Sequence, residues 1–303
     1  MDTTIEISLG AGPAASWWRN QLGLKSATLD DDTVWVTAVR NGVTRAVAGA
    51  QPRAGEHWHV LPVAQASPPD AELAIAVLRQ LDEHITSHHQ RGVARLLLPV
   101  EAGAPLTGPL RQGLGDLGFD LATRVAFVSP PIPTPTARRD DDTDGQPSAE
   151  SGVRLRPVGD LQDHATRSEF ETLFTATLVD CQGALGSGEQ SAAQTLADYS
   201  ADSRNDTSHW YWVEVGVQRA GCVLLAPGDG CDGALSLLYF GVNEGCRGRT
   251  AGVGVLGAVS SLRVVRRAGV FSAVDLANLP AWRSYVAAGW HEIFRRDLWW
   301  KRW

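Results

Sequence analysis

The sequence predicts an α/β (α+β) protein of two successive domains, and three observations support this. The chain has 303 residues, of which 44% are hydrophobic, so each half is long enough to bury its own core. Short apolar runs with strand character alternate with longer segments in which apolar residues recur at helical spacing. Between the halves, residues 131–152 are rich in proline and aspartate and poor in apolar side chains, which predicts a linker.

The first domain is expected over residues 1–130. Its predicted strands are Thr33–Val39, Val43–Ala50, Trp58–Val63, Val93–Pro99 and Ala122–Val128. A helix is predicted over Asp70–Gln90 and a shorter one near Pro109–Leu117. The apolar face of the long helix consists of Leu73, Val77, Leu81 and Ile85.

The second domain is expected over residues 153–303. Its predicted strands begin at Val153, Trp210, Ala220, Leu235, Val270 and Phe294. Helices are predicted at Leu161–Leu178 and Glu189–Ser200, and a helix of about four turns is expected to end at Gly269. The buried face of that last helix should consist of Val255, Val259, Leu262 and Val265. A further helix has Pro280 in its first turn, and a turn is expected at Gln218-Arg219.

The loop after the strand Leu235–Val242 has the composition of an anion site. Residues 243–254 are rich in glycine and other small residues, which let backbone N–H groups approach an anion closely. The helix start behind the loop adds unpaired N–H donors and a partial positive charge. Between Gly245 and Val274 there are arginines but no aspartate or glutamate. The loop therefore predicts a phosphate-bearing cofactor, although its glycine spacing does not match the dinucleotide motif G-x-G-x-x-G.

Together with the residues that follow it, this loop resembles the GNAT superfamily of acyl-CoA-dependent N-acyltransferases. The family motif is a strand, R/Q-x-x-G-x-G/A, a helix, a second strand, and an Asn-x-x-Ala and Tyr-x-x-x-Gly-Phe tail. This chain has Asn278-x-x-Ala281, then Tyr285 and Gly289-Trp290, with tryptophan in place of phenylalanine. The resemblance implies that residues 153–303 form a catalytic N-acetyltransferase domain, with a mixed, mostly antiparallel sheet flanked by helices.

The resemblance also implies a binding site for acetyl-CoA or another acyl-CoA. The phosphate loop fits in two registers, Arg249–Gly254 and Arg247–Gly252, and both stay open. Asn278 would bind the pantetheine or cap a helix, and N–H groups near Phe240–Val242 would polarise the thioester carbonyl. The cofactor-binding residues implied in this way are Phe240, Gly241, Val242, Arg247, Gly248, Arg249, Thr250, Ala251, Gly252, Val253, Gly254 and Asn278.

The resemblance implies direct attack of an amine on the thioester, followed by expulsion of the thiolate. Tyr285 matches the position whose phenol protonates that leaving group; the alternative is an aromatic residue that only packs. The general base is open among Glu214, Glu244 and Asp275, and water can relay the proton. Neither a small-molecule amine nor a protein amine is favoured as the acceptor.

The first half is expected to be a degenerate GNAT-like copy, with an unrelated α/β domain as the alternative. Its Leu117-Gly-Phe119 is similar to Ala288-Gly-Trp290, but the turn Ala64–Asp70 at the cofactor position has two prolines, no glycine and an acid. One acyl-CoA per chain is therefore expected. Two such halves can act as a pseudo-dimer, which is compatible with a monomeric protein.

Composition argues against several other functions. The formal net charge of −7 argues against nucleic acid as a partner. No apolar run is long enough to span a membrane and no signal-peptide pattern is present, so a cytoplasmic protein with free thiols is expected. No metal site is expected, because His84 and His88 lack a third ligand. The alternative to an enzyme is a non-catalytic acyl-CoA-binding or scaffold protein of the same fold.

Overall fold

The computed structural model divides into two compact units, Met1–Arg124 with Phe294–Trp303, and Val125–Ile293. It describes residues 3–10, 12–22, 31–53, 57–61, 63–68, 70–88, 93–99, 107–131, 152–178, 192–201, 207–228, 233–247 and 251–302. Within these ranges, no helix is both long enough and apolar enough to cross a membrane.

Helices and strands alternate along the chain. The strands are β1 (Thr3–Leu9), β2 (Val34–Arg40), β3 (Val43–Arg53), β4 (His57–Val60), β5 (Ala64–Gln65), β6 (Val93–Pro99), β7 (Asp120–Ser129), β8 (Val153–Pro157), β9 (Trp210–Val215), β10 (Gln218–Pro227), β11 (Leu235–Val242), β12 (Val270–Asp275) and β13 (His291–Arg302). The helices are α1 (Pro13–Leu22), α2 (Ala71–His88), α3 (Thr107–Asp116), α4 (His164–Leu178), α5 (Ala192–Ala201), α6 (Ala251–Ser261), α7 (Arg263–Ala268) and α8 (Leu279–Ala287).

The first unit is built on the sheet β1-β2-β3-β4-β6-β13, with β5 beside β3. Strands β1 to β4 pair antiparallel, β4 pairs parallel with β6, and β6 pairs antiparallel with β13. The predicted apolar face of α2 is confirmed, since Leu73, Val77, Leu81 and Ile85 are all buried in one core with Leu114 of α3. Strand β1 and helix α1 were not predicted from the sequence.

The second unit repeats this topology with the strand order β8-β9-β10-β11-β12-β7. Strands β8 to β11 pair antiparallel, β11 pairs parallel with β12, and β12 pairs antiparallel with residues 125–128 of β7. Helices α6 and α8 cover one face of this sheet, and α4 and α5 cover the other.

Each sheet is thus completed by a strand from the opposite half of the sequence. Residues 125–129 of β7 belong to the second unit, and residues 294–302 of β13 belong to the first. The boundaries expected from the sequence, 1–130 and 153–303, therefore differ from those of the compact units. Strand pairing, and not the position of the linker, determines which residues form one core. The predicted linker 131–152 lies outside the described residues except for its two ends.

Two local predictions differ from the structure. The helix expected to reach Gly269 is interrupted at Leu262, which has an extended ψ of 136°. The four residues predicted for its buried face are nevertheless buried, because Leu262 keeps its side chain in the core and its carbonyl accepts from Arg266 N in α7. The turn expected at Gln218-Arg219 lies two residues earlier, where Gly216 adopts a positive φ of 64°.

Candidate active site

The sheet of the second unit opens between strands β11 and β12. These strands pair in parallel from Leu235–Val270 to Leu237–Ser272 and no further. Beyond that rung β11 continues to Val242 alongside β10, while β12 continues to Asp275 alongside β7. The two strands therefore diverge after Leu237 and Ser272. Beyond these residues the facing edges of β11 and β12 no longer pair with each other, and this leaves an opening between them.

Backbone N–H groups of β11 face this opening. The N–H of Asn243 donates to the carbonyl of Ala220 on the β10 side, whereas the carbonyl of Val242 accepts from Arg247 Nε at 2.8 Å. Since the N–H and C=O of one strand residue point to the same edge and successive residues alternate, Val242 and Phe240 direct their N–H groups away from β10. Both N–H groups therefore point into the opening; they belong to the segment that the family resemblance proposed as the source of carbonyl-polarising donors.

A β-bulge gives β11 this orientation. Leu224 of β10 pairs with Tyr239 and the next residue pairs with Leu237, so Leu238 is the extra residue. On the α4 face the hydroxyl of Tyr239 donates to Thr177 Oγ1 at 2.9 Å. Gly241 is required at this point, because a Cβ atom there would lie 2.4 Å from Tyr239 Oη and 2.6 Å from Thr177 Cβ. The C-terminal turn of α4 can therefore approach the bulged strand closely.

Tyr285 reaches the vertex of the opening from the other face of the sheet. The Oγ of Ser272 donates to the carbonyl of Leu237 at 3.1 Å, and the Tyr285 hydroxyl lies 2.8 Å from the same Oγ. Because serine has a single hydroxyl hydrogen and uses it for Leu237, Tyr285 is the donor to Ser272. The ring packs edge-to-face against Phe240 and Trp290, at centroid distances of 5.6 and 5.1 Å.

Burial controls the ionisation of this phenol. Tyr285 is 3% exposed, and desolvation by burial raises the pKa of its hydroxyl well above the ordinary value. The phenol is therefore neutral throughout the physiological pH range and retains a proton that it can donate. In this structure that proton is directed at Ser272.

The predicted cofactor loop is described only in part. Asn243 caps a short turn of 3-10 helix, Glu244–Cys246, by accepting from Cys246 N at 3.1 Å. Gly248, Arg249 and Thr250 lie outside the described residues, and α6 starts directly after them at Ala251. Of the predicted loop residues, Arg247 and Ala251, Gly252, Val253 and Gly254 are thus located, at the end of β11 and in the first turn of α6. The choice between the two registers still depends on the three intervening residues.

Gly252 has a packing role that its sequence context did not indicate. A Cβ atom at Gly252 would lie 2.5 Å from Ser284 Oγ and 3.0 Å from Ser284 Cβ. The absence of a side chain therefore lets the first turn of α6 pack directly on α8. The arginines between Gly245 and Val274 do not all lie near the loop. Three of them, Arg263, Arg266 and Arg267, lie on α7, at the opposite end of α6 from the loop.

Asn278 caps helix α8. Its Oδ1 accepts from Ala281 N at 3.2 Å, and Pro280 follows in the first turn. The cap uses one lone pair of the side-chain oxygen, and the NH₂ group supplies the hydrogen-bond donors that Asn278 can offer to a ligand.

The three candidate bases occupy different places. Glu244 is exposed and follows Val242 by two residues. Glu214 lies on β9, separated from β11 by β10, and its Oε1 is 3.8 Å from Arg156. Asp275 ends β12, and its Oδ1 accepts from Ala277 N at 2.8 Å. Only Glu244 is next to the N–H groups of β11 along the chain and lacks a cationic neighbour among the ion pairs of the described residues.

In the first unit, the position that corresponds to this opening is occupied by strand pairing and by a side chain of the same unit. Strand β4 pairs with β6 along its whole length, from His57 to Val60, and β5 then folds back onto β3. The Oδ1 of Asp70 accepts from Leu73 N at 3.1 Å and so caps α2. In this unit a carboxylate of the chain occupies the helix start at which a phosphate was predicted for the second unit.

Ser272 and Ser284 were missed by the sequence analysis. Both are small polar residues without a motif of their own, one within an apolar strand and one beside the motif tyrosine. Only the mid-strand serine in Val-Phe-Ser-Ala-Val carried a signal, since it alternates with valines on one face of the strand and a hydroxyl on a buried face needs a partner.

Solved structures of GNAT proteins resemble the whole chain. A GCN5-related N-acetyltransferase from Sphaerobacter thermophilus aligns over 98% of this chain and 95% of its own, with a TM-score of 0.66 and 16% identity. A tandem GNAT protein from the clavulanic acid biosynthesis pathway aligns over 99% and 98%, with a TM-score of 0.56 and 13% identity. A GNAT-family acetyltransferase from Colwellia psychrerythraea aligns over 98% of both chains, with a TM-score of 0.52 and 11% identity.

The protein therefore has the GNAT fold. More particularly, it has the tandem form of that fold, with one copy in each compact unit, and the predicted α/β fold class is confirmed. Comparison with sequence models of protein families gave no match, and comparison with curated proteins gave none either. At 11–16% identity the structural resemblance concerns the fold, and any activity depends on the residues of the site.

Proposed function

We propose that this protein is an acyl-CoA-dependent N-acyltransferase, which transfers an acetyl group from acetyl-CoA to a primary amine. The observation that carries the proposal is the opening between β11 and β12. The strands part after the rung between Leu237 and Ser272, Phe240 and Val242 direct N–H groups into the gap, and the Tyr285 hydroxyl lies at its vertex. A thioester in this opening would have hydrogen-bond donors for its carbonyl oxygen beside a proton donor for its sulfur.

Acyl-CoA would enter with its diphosphate at the loop 247–254 and its pantetheine between the strands. The start of α6 supplies unpaired N–H donors and a partial positive charge to the diphosphate, and Arg247 and Arg249 are the basic residues of that loop. The NH₂ group of Asn278 is left to contact the pantetheine. The site would belong to the second unit alone, which allows a monomer with one cofactor to function.

The chemistry would consist of addition and elimination at the thioester carbon. The amine nitrogen attacks that carbon, and the carbonyl oxygen becomes an oxyanion held by the N–H groups of Phe240 and Val242. The C–S bond then breaks with the electron pair going to sulfur, and the thiolate receives a hydrogen bond and a proton from Tyr285. The products are an amide and free CoA.

Glu244 is the base that this arrangement favours. The nitrogen of the tetrahedral intermediate must lose a proton, and an exposed carboxylate at the mouth of the opening can accept it through water. Glu214 lies two strands away beside Arg156, and Asp275 uses one oxygen for the turn that follows β12.

Free Cys222 and Cys246 are compatible with a reducing cytoplasm as the place of the reaction.

One observation favours a second candidate, a non-catalytic acyl-CoA-binding protein of the same fold. The Tyr285 proton is directed at Ser272 inside the core, and a phenol with a raised pKa gives up its proton reluctantly. Such a protein would bind CoA at the same loop without turning it over.

Two measurements separate these functions. Calorimetry with CoA and acetyl-CoA tests binding, and a thiol-specific dye tests acetyl-CoA-dependent thiol release across a panel of small amines and lysine peptides. Binding together with amine-dependent release is expected. Binding without release from any amine favours the second candidate, and absence of binding contradicts both.

A further inference from the structure

We propose that Ser272 is a positioning residue of the acyl-transfer site, and this inference rests on the transferase function proposed above. Its hydroxyl would hold the phenol oxygen of Tyr285 at the vertex of the opening, from which the phenol would turn its hydrogen from Ser272 to the leaving sulfur during the reaction. Ser272 lies on the last rung between β11 and β12, and no motif in the sequence assigns it a role.

The hydrogen bonds at this rung have a fixed direction. The carbonyl of Leu237 can only accept, so the single hydrogen of the Ser272 hydroxyl is committed to it over 3.1 Å. The lone pairs of the same Oγ are then free to accept from Tyr285 over 2.8 Å. The chain of donors therefore runs from the phenol to the serine and from the serine to β11.

Burial makes this series of hydrogen bonds sensitive to the loss of one hydroxyl group. Ser272 is 2% exposed and Tyr285 is 3% exposed, so water does not replace a missing partner at this depth. Without the Ser272 hydroxyl, the phenol would lose its acceptor and the carbonyl of Leu237 would lose its side-chain donor, and a buried polar group without a partner reorients or is destabilised. The aromatic contacts with Phe240 and Trp290 hold the ring but leave the torsion of its hydroxyl free.

The position of Ser272 also links the phenol to the strand that polarises the substrate. Leu237 is the last residue of β11 before the bulge at Leu238, and the N–H groups of Phe240 and Val242 follow directly. A side-chain hydrogen bond from Ser272 at this point anchors both the start of the bulge and the proton donor to one atom. Ser272 would thus set the distance between the Tyr285 hydroxyl, which would face the thioester sulfur, and the β11 N–H groups, which would face the thioester oxygen.

The test compares Ser272→Ala and Ser272→Thr in the full-length protein, each alone and with Tyr285→Phe. Thermal melting provides the folding control, and the assay is acetyl-CoA-dependent thiol release with the best amine of the panel. For Ser272→Ala we expect kcat to fall about 10-fold or more while the Kd for CoA and the KM for acetyl-CoA stay within about 2-fold, as for an interaction used mainly in the transition state. Ser272→Thr, which keeps the hydroxyl, should recover most of kcat.

The double variant decides whether the two hydroxyl groups act together. If Ser272 acts through the phenol, adding Ser272→Ala to Tyr285→Phe should change kcat by less than about 2-fold. This comparison stands even if the threonine variant does not fold. A multiplicative loss in the double variant, or unchanged kcat in Ser272→Ala, overturns the positioning role and leaves the transferase proposal intact. A wild-type protein that binds CoA but releases no thiol overturns the transferase proposal and the role of Ser272 with it.

Discussion

Arg40 and Asp70 form an ion pair of 3.3 Å at the start of helix α2. The same carboxylate caps the helix through Leu73 N, while the side chain of Gln65 bonds both the N–H and the carbonyl of Asp70. The helix start of the first unit is thus closed by its own residues. At the corresponding point of the second unit, the chain approaches α6 without an aspartate or glutamate between Gly245 and Val274.

This difference predicts one CoA per chain. Calorimetric titration of the full-length protein with CoA should give a stoichiometry near one. Asp70→Ala should not create a second site, because strands β4 and β6 still leave no opening, but it should lower stability by about 1 kcal/mol through loss of the cap. The ion pair adds little to this figure, since both side chains are about one-third exposed. A stoichiometry near two would contradict the degenerate character of the first unit.

Gly245 offers a direct electrostatic test of the cofactor loop. A Cβ atom at Gly245 meets no atom of the described residues within 4 Å, so a small side chain fits there. Gly245→Asp should weaken CoA binding about 3- to 10-fold at low salt, because it adds a negative charge beside the expected diphosphate, and the effect should shrink as salt increases.

Gly245→Ala is the matched control for this prediction. It makes the same backbone change without the charge and should leave both the Kd and the melting temperature close to wild type. Equal affinities for the aspartate and alanine variants, at low and at high salt, would place the diphosphate away from this loop.

Packing between α6 and α8 leads to a prediction on stability. In Gly252→Ala, the gain in helix propensity, up to about 1 kcal/mol, competes with overpacking against Ser284 Oγ and Cβ, which costs about 1–3 kcal/mol. With contacts of 2.5 and 3.0 Å the overpacking should win, and the free energy of unfolding should fall by about 1–2 kcal/mol. Adding Ser284→Ala removes the nearest atom and should restore part of the loss.

Gly257 is the control, because it lies on the same helix and a Cβ atom there meets no atom within 4 Å in the described part of the chain. Gly257→Ala should therefore stabilise the protein by about 0.5–1 kcal/mol. Chemical denaturation of wild type and the three variants measures both effects. If Gly252→Ala stabilises as much as Gly257→Ala, α6 and α8 are not in the close contact described.

The sequence predicted what local patterns can encode. The helical stripe of α2 and the order of strands and helices in the second half follow from periodicity and turn residues, and both are confirmed. The exchange of β7 and β13 could not be predicted, because an alternating strand such as Asp120–Ser129 carries no record of which neighbour it pairs with. The break at Leu262 was equally hidden, since its apolar side chain fits the helical pattern while only its backbone departs from it.

The same limit applies to the site. Motif spacing predicted Asn278, Tyr285 and the loop as site residues, because a spacing within one segment is a local property. The role of Ser272 depends on the residue of β11 at which pairing with β12 stops. That point is set by the bulge and by long-range strand pairing, neither of which leaves a signal in Val270–Asp275.

Cys222 predicts a dependence of stability on pH. Burial raises the pKa of its thiol to about 12, whereas a thiol in the unfolded chain ionises near 8.5. Below about pH 8.5 the thiol is protonated in both the folded and the unfolded protein, so its ionisation does not lower the free energy of unfolding. Above it, only the unfolded state loses the proton, so the free energy of unfolding falls by up to about 1.4 kcal/mol per pH unit until about pH 12.

Urea unfolding at pH 8 and pH 10 of wild type and Cys222→Ala measures this contribution. Wild type should lose roughly 2 kcal/mol more than the variant over this interval. All other ionisable groups are the same in both proteins, so their effects cancel in the difference. Equal losses would mean that the buried site accommodates the thiolate.

Tyr285→Phe tests the proposed proton donor. Only the hydroxyl is removed, and the ring keeps its contacts with Phe240 and Trp290, so the Kd for CoA should stay within about 2-fold. A hydrogen bond that forms mainly when charge develops on the departing sulfur acts on kcat and not on ground-state affinity. General acid catalysis contributes about 10²–10⁴-fold. Because burial raises the pKa of Tyr285 and makes full proton release costly, we expect a loss near the lower end, about 10²-fold.

Tyr239→Phe is the matched control for that measurement. Tyr239 also donates to a hydroxyl, that of Thr177 at 2.9 Å, but it does so on the α4 face of β11, away from Tyr285. Its loss should leave kcat within about 3-fold of wild type, which separates the removal of any buried phenol hydroxyl from the removal of the one at the vertex. If Tyr285→Phe raises the KM for acetyl-CoA while kcat is unchanged, Tyr285 packs or binds, and the proton for the thiolate comes from another group or from water.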